Sequence, residues 1–212
     1  VNKGFSYNAQ TQLNALLSVS ASAENPLYNA IAEELKIKEE QILETELFLY
    51  DFAPAQLIGL NQEMITAQGL DNLSMTHCIL SALLKCDKPQ KTAVGIFFDN
   101  EEIGSLTSQG ADSLLLDEIL ERICLSQSNS REDFYLALRN SFFISADVAN
   151  AWHPSFSEKY DPDYAPLMNK GPVIKFDAYS RYASNAESSY HFIHLCEKVK
   201  VPYQKFVVRS DG

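Results

Sequence analysis

The run Gly-Ile-Phe-Phe-Asp-Asn-Glu-Glu-Ile-Gly-Ser at residues 95–105 constrains the fold of this chain most. The apolar residues 93–98 predict a buried β-strand, which delivers Glu101 and Glu102 into a loop closed by Gly104. Adjacent side chains on an extended backbone point in different directions. One carboxylate can therefore hold a cation while its neighbour faces a substrate and moves protons.

From Gly69 onward, predicted strands alternate with predicted helices. This alternation indicates an α/β fold with a mainly parallel sheet and helices on both faces. The predicted helices cover residues 71–84, 111–125, 131–139 and 185–198, and the predicted strands cover residues 92–98, 141–146, 173–176 and 206–208.

Residues 1–66 indicate a smaller α+β region, separate from the α/β region of residues 67–212. A helix is predicted over residues 26–35, with Asn25 as its N-cap and Pro26 at its first position. Residues 46–51 and 56–60 are interpreted as two strands of a hairpin around Ala53-Pro54.

Composition limits the classes of partner. The formal net charge of -11 disfavours nucleic acid and anionic membranes, and no apolar run approaches the ~20 residues of a membrane helix. The N-terminus has no signal-peptide pattern and no initiator Met, so we expect the chain to begin inside a longer protein. The four cysteines lack Cys-x-x-Cys spacing, which is typical of reduced thiols in a cytoplasmic protein.

Acidic residues follow or flank the predicted strands. In parallel sheets, sites gather beyond the carboxyl ends of strands, where Asp71, Glu101, Glu102 and Asp147 are expected. Converging carboxylates repel one another, and two divalent cations would relieve this repulsion and activate a water. Structural roles are the alternative at this point: Asp71 as a helix N-cap, Glu101 and Glu102 as loop charges, and Asp147 as a turn residue.

The remaining candidates have two interpretations each. His153 follows Asp147 in a loop and is a ligand or a structural residue. Lys175 lies inside a predicted strand and either extends to solvent or offers a cation to an anionic ligand. Tyr182 is similarly ambiguous between a structural and a ligand-contacting role. We expect His77 to be a packed, hydrogen-bonded imidazole on an apolar helix face rather than a ligand. His191 and His194 have a spacing that can bind metal, but we expect a solvated pair.

Several of these runs, in this order, resemble the aspartyl aminopeptidase and vacuolar aminopeptidase I family of dinuclear zinc exopeptidases. The resemblance covers essentially all 212 residues. The matching runs are Leu70-Asp-Asn-Leu73, Phe98-Asp-Asn-Glu-Glu-Ile-Gly-Ser105, Ile144-Ser-Ala-Asp147, Ala151-Trp-His-Pro154, Lys170-Gly-Pro-Val-Ile-Lys175, Arg181-Tyr-Ala-Ser-Asn-Ala186 and Val208-Arg-Ser-Asp211.

The resemblance implies specific roles in a zinc aminopeptidase that removes N-terminal residues, including acidic ones, from peptides. Asp71 would bridge two Zn²⁺ ions, Glu102 would bind one and Asp147 the other, with Co²⁺ or Mn²⁺ as substitutes. Glu101 would be the general base that takes a proton from the attacking water. The implied substrate-binding residues are Lys175, Tyr182, Asn150 and His153.

The resemblance also implies a three-layer αβα peptidase domain at residues 67–212, part of a dimerisation domain at residues 1–66, and dimers that assemble into dodecamers. The chain departs from the family at Asn150, where a histidine is common. It also lacks the family's two zinc-binding histidines, so we expect weak metal binding and little turnover from this chain alone.

Two alternatives remain. The first is a non-catalytic chain that keeps the peptidase fold for assembly or binding. The second, a metal-dependent phosphatase, is disfavoured because no Asp-x-Asp motif lies at a strand end.

Overall fold

The computed structural model describes residues 4–19 and 25–211 and divides the chain into two compact units, Val1–Gln68 and Gly69–Gly212. The fold is mixed α/β with short strands. None of the helices among the described residues is long and apolar enough to cross a membrane.

The described part of the first unit, residues 4–19 and 25–68, contains two α-helices and one hairpin. Helix α1 (Ala9–Gln12) begins where the Asn8 side chain accepts a hydrogen bond from the backbone N–H of Gln10. Helix α2 (Pro26–Leu35) has the predicted bounds, with proline in its first turn, and a 3₁₀-helix, Glu39–Gln41, follows it. Strands β1 (Gln56–Ile58) and β2 (Met64–Thr66) form an antiparallel pair.

The predicted strand at residues 56–60 is confirmed in part by β1, but residues 46–51 form no strand and the predicted pairing of the two segments is wrong. The turn lies at residues 59–63 instead, where Gly59 and Gln62 have φ of 95° and 57°. The Gln62 backbone N–H donates to the Gly59 carbonyl, and the Asn61 backbone N–H donates to the Glu63 carboxylate at 2.8 Å. The turn at residues 59–63 therefore pairs residues 56–58 with residues 64–66 rather than with residues 46–51.

Among the described residues, the second unit contains four α-helices and a parallel strand pair. The bounds are α3 Leu70–Leu84, α4 Leu115–Ser126, α5 Arg131–Arg139, β3 Val173–Phe176, α6 Ala186–Lys198 and β4 Gln204–Val207. Helices α4 and α5 pack against each other, and Arg131 forms a 2.7 Å ion pair with Glu121 between them. Strands β3 and β4 are parallel and lie on either side of α6 in the chain, which is a crossover connection.

Helix caps explain where two of these helices begin. Ser130 and Asp133 form a reciprocal capping box at α5, whose bounds match the prediction. The Asn185 side chain accepts from the Ser188 backbone N–H at 2.8 Å at the start of α6. Helix α4 begins at Leu115 rather than at residue 111, because the preceding residues form a turn in which Ser113 donates to the Gly110 carbonyl.

The predicted strands at residues 92–98 and 141–146 are wrong as paired strands. Neither segment has a hydrogen-bonded strand neighbour among the described residues. Apolar β-formers favour an extended backbone, but a strand needs a partner, which local sequence does not specify. The described residues form two two-stranded sheets, so the three-layer αβα arrangement is not formed within them.

Candidate metal and substrate site

The loop that carries Glu101 and Glu102 is held by its own backbone. The Asp99 backbone N–H donates to the Gln109 carbonyl at 3.1 Å and closes the loop. Inside it, the Thr107 hydroxyl donates to the Asn100 side-chain oxygen at 2.7 Å. Glu101 begins a 3₁₀-helix, Glu101–Ile103, rather than an extended segment. Because a 3₁₀-helix has about three residues per turn, the two adjacent carboxylates still point in different directions.

Glu101 and Glu102 are both exposed. Asn100, which precedes them, has φ of 60°, and Gly104, which follows them, has φ of 103°. The loop thus turns sharply on each side of the carboxylates and presents them to solvent. Within the described part of the chain, neither carboxylate forms an ion pair.

Asp147 has a different environment. Its Oδ1 accepts a 2.7 Å hydrogen bond from the Val148 backbone N–H, and its Oδ2 lies 2.9 Å from Nζ of Lys175. The same Nζ donates to the Val148 carbonyl at 3.1 Å. The Lys175 side chain is only 17% exposed, whereas that of Asp147 is 50% exposed. Lys175 therefore turns toward Asp147 rather than extending to solvent.

Tyr182 completes this cluster, since its ring centroid lies 5.6 Å from Nζ of Lys175. The turn before it is braced by Asp177, whose side chain is 2% exposed, forms an ion pair with Arg181 and accepts from the Tyr179 backbone N–H at 2.9 Å. The hydrogen bond from Arg181 is the main cause that holds the pKa of Asp177 below its usual 3.8. The sequence analysis did not predict this ion pair, although Asp177 and Arg181 are four residues apart, a spacing that permits one.

Asp71 is connected to Asp147 through their neighbours. Asp71 and Asn72 have non-helical backbone conformations at the start of α3, and the peptide bond between them is cis. The Asn72 side-chain amide donates to the Ala146 carbonyl at 3.1 Å, across 74 residues of sequence. This bond, which sequence reasoning also missed, brings the backbone beside Asp71 to the backbone beside Asp147.

The remaining candidates have other environments. Nδ1 of His153 accepts from the Ser155 backbone N–H at 3.1 Å, which makes His153 the cap of a 3₁₀-helix, Pro154–Lys159. Asn150 is exposed. His77 is exposed, so its predicted packing is wrong, but its Nε2 lies 3.4 Å from the Ser81 hydroxyl, as expected of a hydrogen-bonded imidazole.

His191 and His194 are exposed, as expected, and both contact the ring of Tyr190. The four cysteines are free: Cys78 and Cys86 are exposed, Cys124 is half-buried and Cys196 is buried.

The fit to zinc is partial. Carboxylate oxygens are suitable zinc ligands, and the Asn72–Ala146 bond brings together the backbones that carry Asp71 and Asp147. However, the described residues, 4–19 and 25–211, contain no group of three or more His, Cys, Asp or Glu side chains arranged to hold a metal ion. The carboxylates of Asp71 and Asp147 are therefore suitable zinc ligands, but too few ligands come together to complete a zinc site.

Comparison with known proteins shows the family to which this chain belongs. A sequence model of the M18 family, described as aminopeptidase I zinc metalloprotease, matches residues 1–212. The chain belongs to the M18 aminopeptidase family. Members of this family are zinc metalloproteases, which agrees with the carboxylate chemistry around Asp71 and Asp147.

Curated M18 relatives match the chain along its length. It is 45% identical over 214 residues to a probable M18 family aminopeptidase 2 from Clostridium acetobutylicum, covering 100% of this chain and 49% of that protein. A protein of the same description from Ectopseudomonas mendocina is 38% identical, covering 99% and 49%. The chain thus spans about half the length of these relatives.

Solved M18 structures match the fold. A cryo-electron microscopy structure of the complex of Ape4 and Nbr1 matches with a TM-score of 0.83 and 33% identity, covering 100% of this chain and 45% of that one. An M18 aminopeptidase from Thermotoga maritima matches with a TM-score of 0.75 and 26% identity, covering 85% and 42%. The mApe1 dodecamer of Saccharomyces cerevisiae matches with a TM-score of 0.74 and 26% identity, covering 86% and 43%.

Proposed function

We propose that this chain supplies carboxylate ligands and the general base of a zinc aminopeptidase of the M18 family. The observation that carries the proposal is the Asn72–Ala146 hydrogen bond, which joins the Asp71 and Asp147 segments of a chain that matches the family throughout. Because the chain spans about half the length of its relatives, the activity of the whole protein is part of this proposal.

Three carboxylates would hold the metal in this proposal: Asp71 bridging two ions, with Glu102 and Asp147 each binding one. Bound zinc would supply Lewis-acid activation of the scissile carbonyl and of water. Glu101 would take a proton from the attacking water and deliver it to the leaving amine. Its exposed position beside Glu102 in a closed loop suits a group that must reach both water and substrate.

Lys175 would bind the acidic side chain of the substrate's N-terminal residue. The ammonium is oriented by the Val148 carbonyl and by the ring of Tyr182, which would also contact the substrate. Asn150 and His153 would line the same region, with His153 also capping its own 3₁₀-helix. The charge of Lys175 thereby favours peptides that begin with Asp or Glu.

The wider architecture belongs to the same proposal. Residues 67–212 would form part of a three-layer αβα peptidase domain, and residues 1–66 part of a dimerisation domain. The relative from Saccharomyces cerevisiae forms a dodecamer, and we extend homo-oligomeric assembly to this protein. Cytoplasmic localisation stays a prediction.

A chimera tests the catalytic proposal. This chain replaces the 214-residue aligned segment of the Clostridium acetobutylicum relative, to which it is 45% identical. We expect the chimera to hold zinc and to hydrolyse aminoacyl-amide substrates. The Asp147→Asn chimera should lose zinc and activity, while the matched Asp163→Asn chimera should keep both. A folded chimera that binds no zinc, or that keeps full activity with Asp147→Asn, would contradict the proposal.

A non-catalytic assembly module is the second candidate. The pairing of Asp147 with Lys175 favours it, because an acid neutralised by a lysine has a structural partner without any metal. The chimera distinguishes the two functions: activity of the chimera excludes a purely structural role, and a folded, oligomeric but zinc-free chimera supports one.

A further inference from the structure

The chain between Asp147 and β3, residues 148–172, forms one long connecting segment. Apart from the 3₁₀-helix Pro154–Lys159, it contains no helix or strand among the described residues. Segments of this length with little secondary structure of their own are usually functional. This one carries Asn150 and His153, two residues of the proposed substrate-binding region. Its backbone must be held in place if these side chains are to meet a peptide in a fixed geometry.

The side-chain amide of Gln204, at the start of β4, holds the C-terminal part of this segment. Its Oε1 accepts from the Leu167 backbone N–H at 2.8 Å. Its Nε2 donates to the Leu167 carbonyl at 3.0 Å and to the Gly171 carbonyl at 3.2 Å. A Gln side chain offers one acceptor oxygen and two donor hydrogens, so both ends of the amide are used. Gln204 thereby pairs with Leu167 as a neighbouring strand residue would, across 37 residues of sequence.

Leu167 passes this restraint to the part of the segment that carries His153. Pro166, which precedes Leu167, is buried, and its carbonyl accepts from the Trp152 backbone N–H at 2.7 Å. Trp152 is the residue immediately before His153. The path from Gln204 to His153 therefore consists of two hydrogen-bonded links, which the peptide bond between Pro166 and Leu167 joins.

A second tie holds the same place from the other end of β4. The Tyr160 hydroxyl donates to the Ala151 carbonyl at 2.9 Å. Nη1 of Arg209, which follows β4, donates to the Tyr160 carbonyl at 3.5 Å. The backbone at Ala151 and Trp152 is thus bonded on both sides, while the Trp152 side chain is 41% exposed. A fixed backbone with accessible side chains is the arrangement that a binding segment requires.

We propose that Gln204 is a positioning residue, which fixes the backbone at Trp152 and His153 through Leu167 and Pro166. Gln204 acts through the connecting segment rather than by contacting a peptide. Without its amide, the Leu167 and Gly171 backbone groups lose their side-chain partner, and an unpaired backbone group is costly. The substrate part of this inference rests on the proposed function, whereas the restraint on Trp152 does not.

Amide hydrogen exchange, measured by NMR, tests the restraint in the protein itself without metal or substrate. Gln204→Met keeps a side chain of similar length and removes the three hydrogen bonds of the amide. Losing even one net hydrogen bond makes local opening more frequent, so we expect the Trp152 backbone N–H to exchange at least about fivefold faster. The Leu167 N–H is not used as a readout, because it loses its acceptor directly.

Two references separate positioning from general destabilisation. The Val208 backbone N–H donates to the Phe176 carbonyl at 3.0 Å, beyond β3 and β4, and its exchange should not change in Gln204→Met. Lys205→Met is the matched control, since it places the same side chain at the exposed neighbouring position of β4 and should not change Trp152 exchange. Unchanged Trp152 exchange in Gln204→Met, or equal acceleration of Trp152 and Val208, would overturn the proposal.

Steady-state kinetics of the chimera with the Clostridium acetobutylicum relative test the substrate part. Because Gln204 acts on a binding segment and not on reacting atoms, Gln204→Met should raise KM about three- to tenfold and change kcat by less than about twofold. Lys205→Met should change neither. Faster Trp152 exchange with an unchanged KM, or a fall in kcat alone, would overturn the role of the segment in substrate binding.

Failure of the proposed function gives a different result. A chimera that is inactive with Gln204 intact would contradict the proposed function, and Trp152 exchange would still decide whether Gln204 holds the segment.

Discussion

Two acidic regions of the second unit differ in how they are held. Asp147 is fixed by contacts from distant residues: Lys175 on β3 binds its carboxylate, and the Asn72 amide binds the carbonyl of the preceding residue. Glu101 and Glu102 lie in a loop whose hydrogen bonds within the described part of the chain are all local, such as that from Asp99 to Gln109. The first region is organised by the fold and the second by its own turn.

Within the proposed function, this difference suits Asp147 and Glu101 to different tasks. A carboxylate that is pre-oriented by tertiary contacts suits metal binding, because ligand geometry must be kept. A carboxylate on a solvent-facing turn suits proton transfer, since it must reach water and then the leaving group. Each prediction below perturbs one region and leaves the other intact.

Glu101→Gln should have the largest effect. Gln keeps the size of the side chain but cannot accept a proton, so we expect aminopeptidase turnover in the chimera to fall about 10²–10⁴-fold. Zinc content, measured by atomic absorption, should not change. Glu102→Gln is the control and should lower zinc content. Loss of zinc from Glu101→Gln would make Glu101 a ligand instead.

Gly171→Ala should damage the Lys175 region severely. Gly171 has φ of +91°, and a Cβ there would lie 1.7 Å from the Pro202 carbonyl oxygen. Left-handed strain and the clash together should lower the free energy of unfolding by about 2 to 4 kcal/mol. Urea denaturation measures the change, and a loss below about 1 kcal/mol would show that β3 does not depend on this close approach.

Gly104→Ala should perturb the Glu101 loop less. Gly104 has φ of +103°, but a Cβ there meets nothing within 4 Å, so only backbone strain opposes the substitution. We expect a loss of about 1–2 kcal/mol in the same denaturation experiment. A loss equal to that of Gly171→Ala would remove the contrast between the two regions.

Asp177→Asn should have the smallest effect, and one that depends on pH. The pKa of Asp177 lies below its usual 3.8, chiefly because of the hydrogen bond from Arg181. The ionised carboxylate therefore stabilises the fold above about pH 4, and this contribution disappears as pH falls through the lowered pKa. Thermal unfolding of the two proteins should differ at pH 7 and converge in acid. A difference that is the same at every pH would point to packing rather than charge.

Local signals predicted the helices well. The bounds of α2 and α5 are those predicted, and the proline in the first turn of α2 was part of that prediction. Capping boxes and periodicity act within one or two turns, so a single sequence contains them. The resemblance to the M18 family is confirmed by the match over residues 1–212.

The long-range contacts could not be predicted from the sequence. The strands predicted at residues 92–98 and 141–146 have the right composition, but pairing depends on a neighbour elsewhere in the chain. The contact between Lys175 and Asp147 crosses 28 residues, and that between Asn72 and Ala146 crosses 74. Neither has a local signature, so the candidate residues were named while their partners were not.

Calorimetric titration of zinc into the chimera with the Clostridium acetobutylicum relative and into its Asp147→Asn variant tests the central claim most directly, because that claim places a metal on the carboxylates whose neighbours, Asn72 and Ala146, are hydrogen-bonded. We predict that the chimera binds zinc and that Asp147→Asn weakens binding at least about tenfold. Identical isotherms for the two proteins would contradict it.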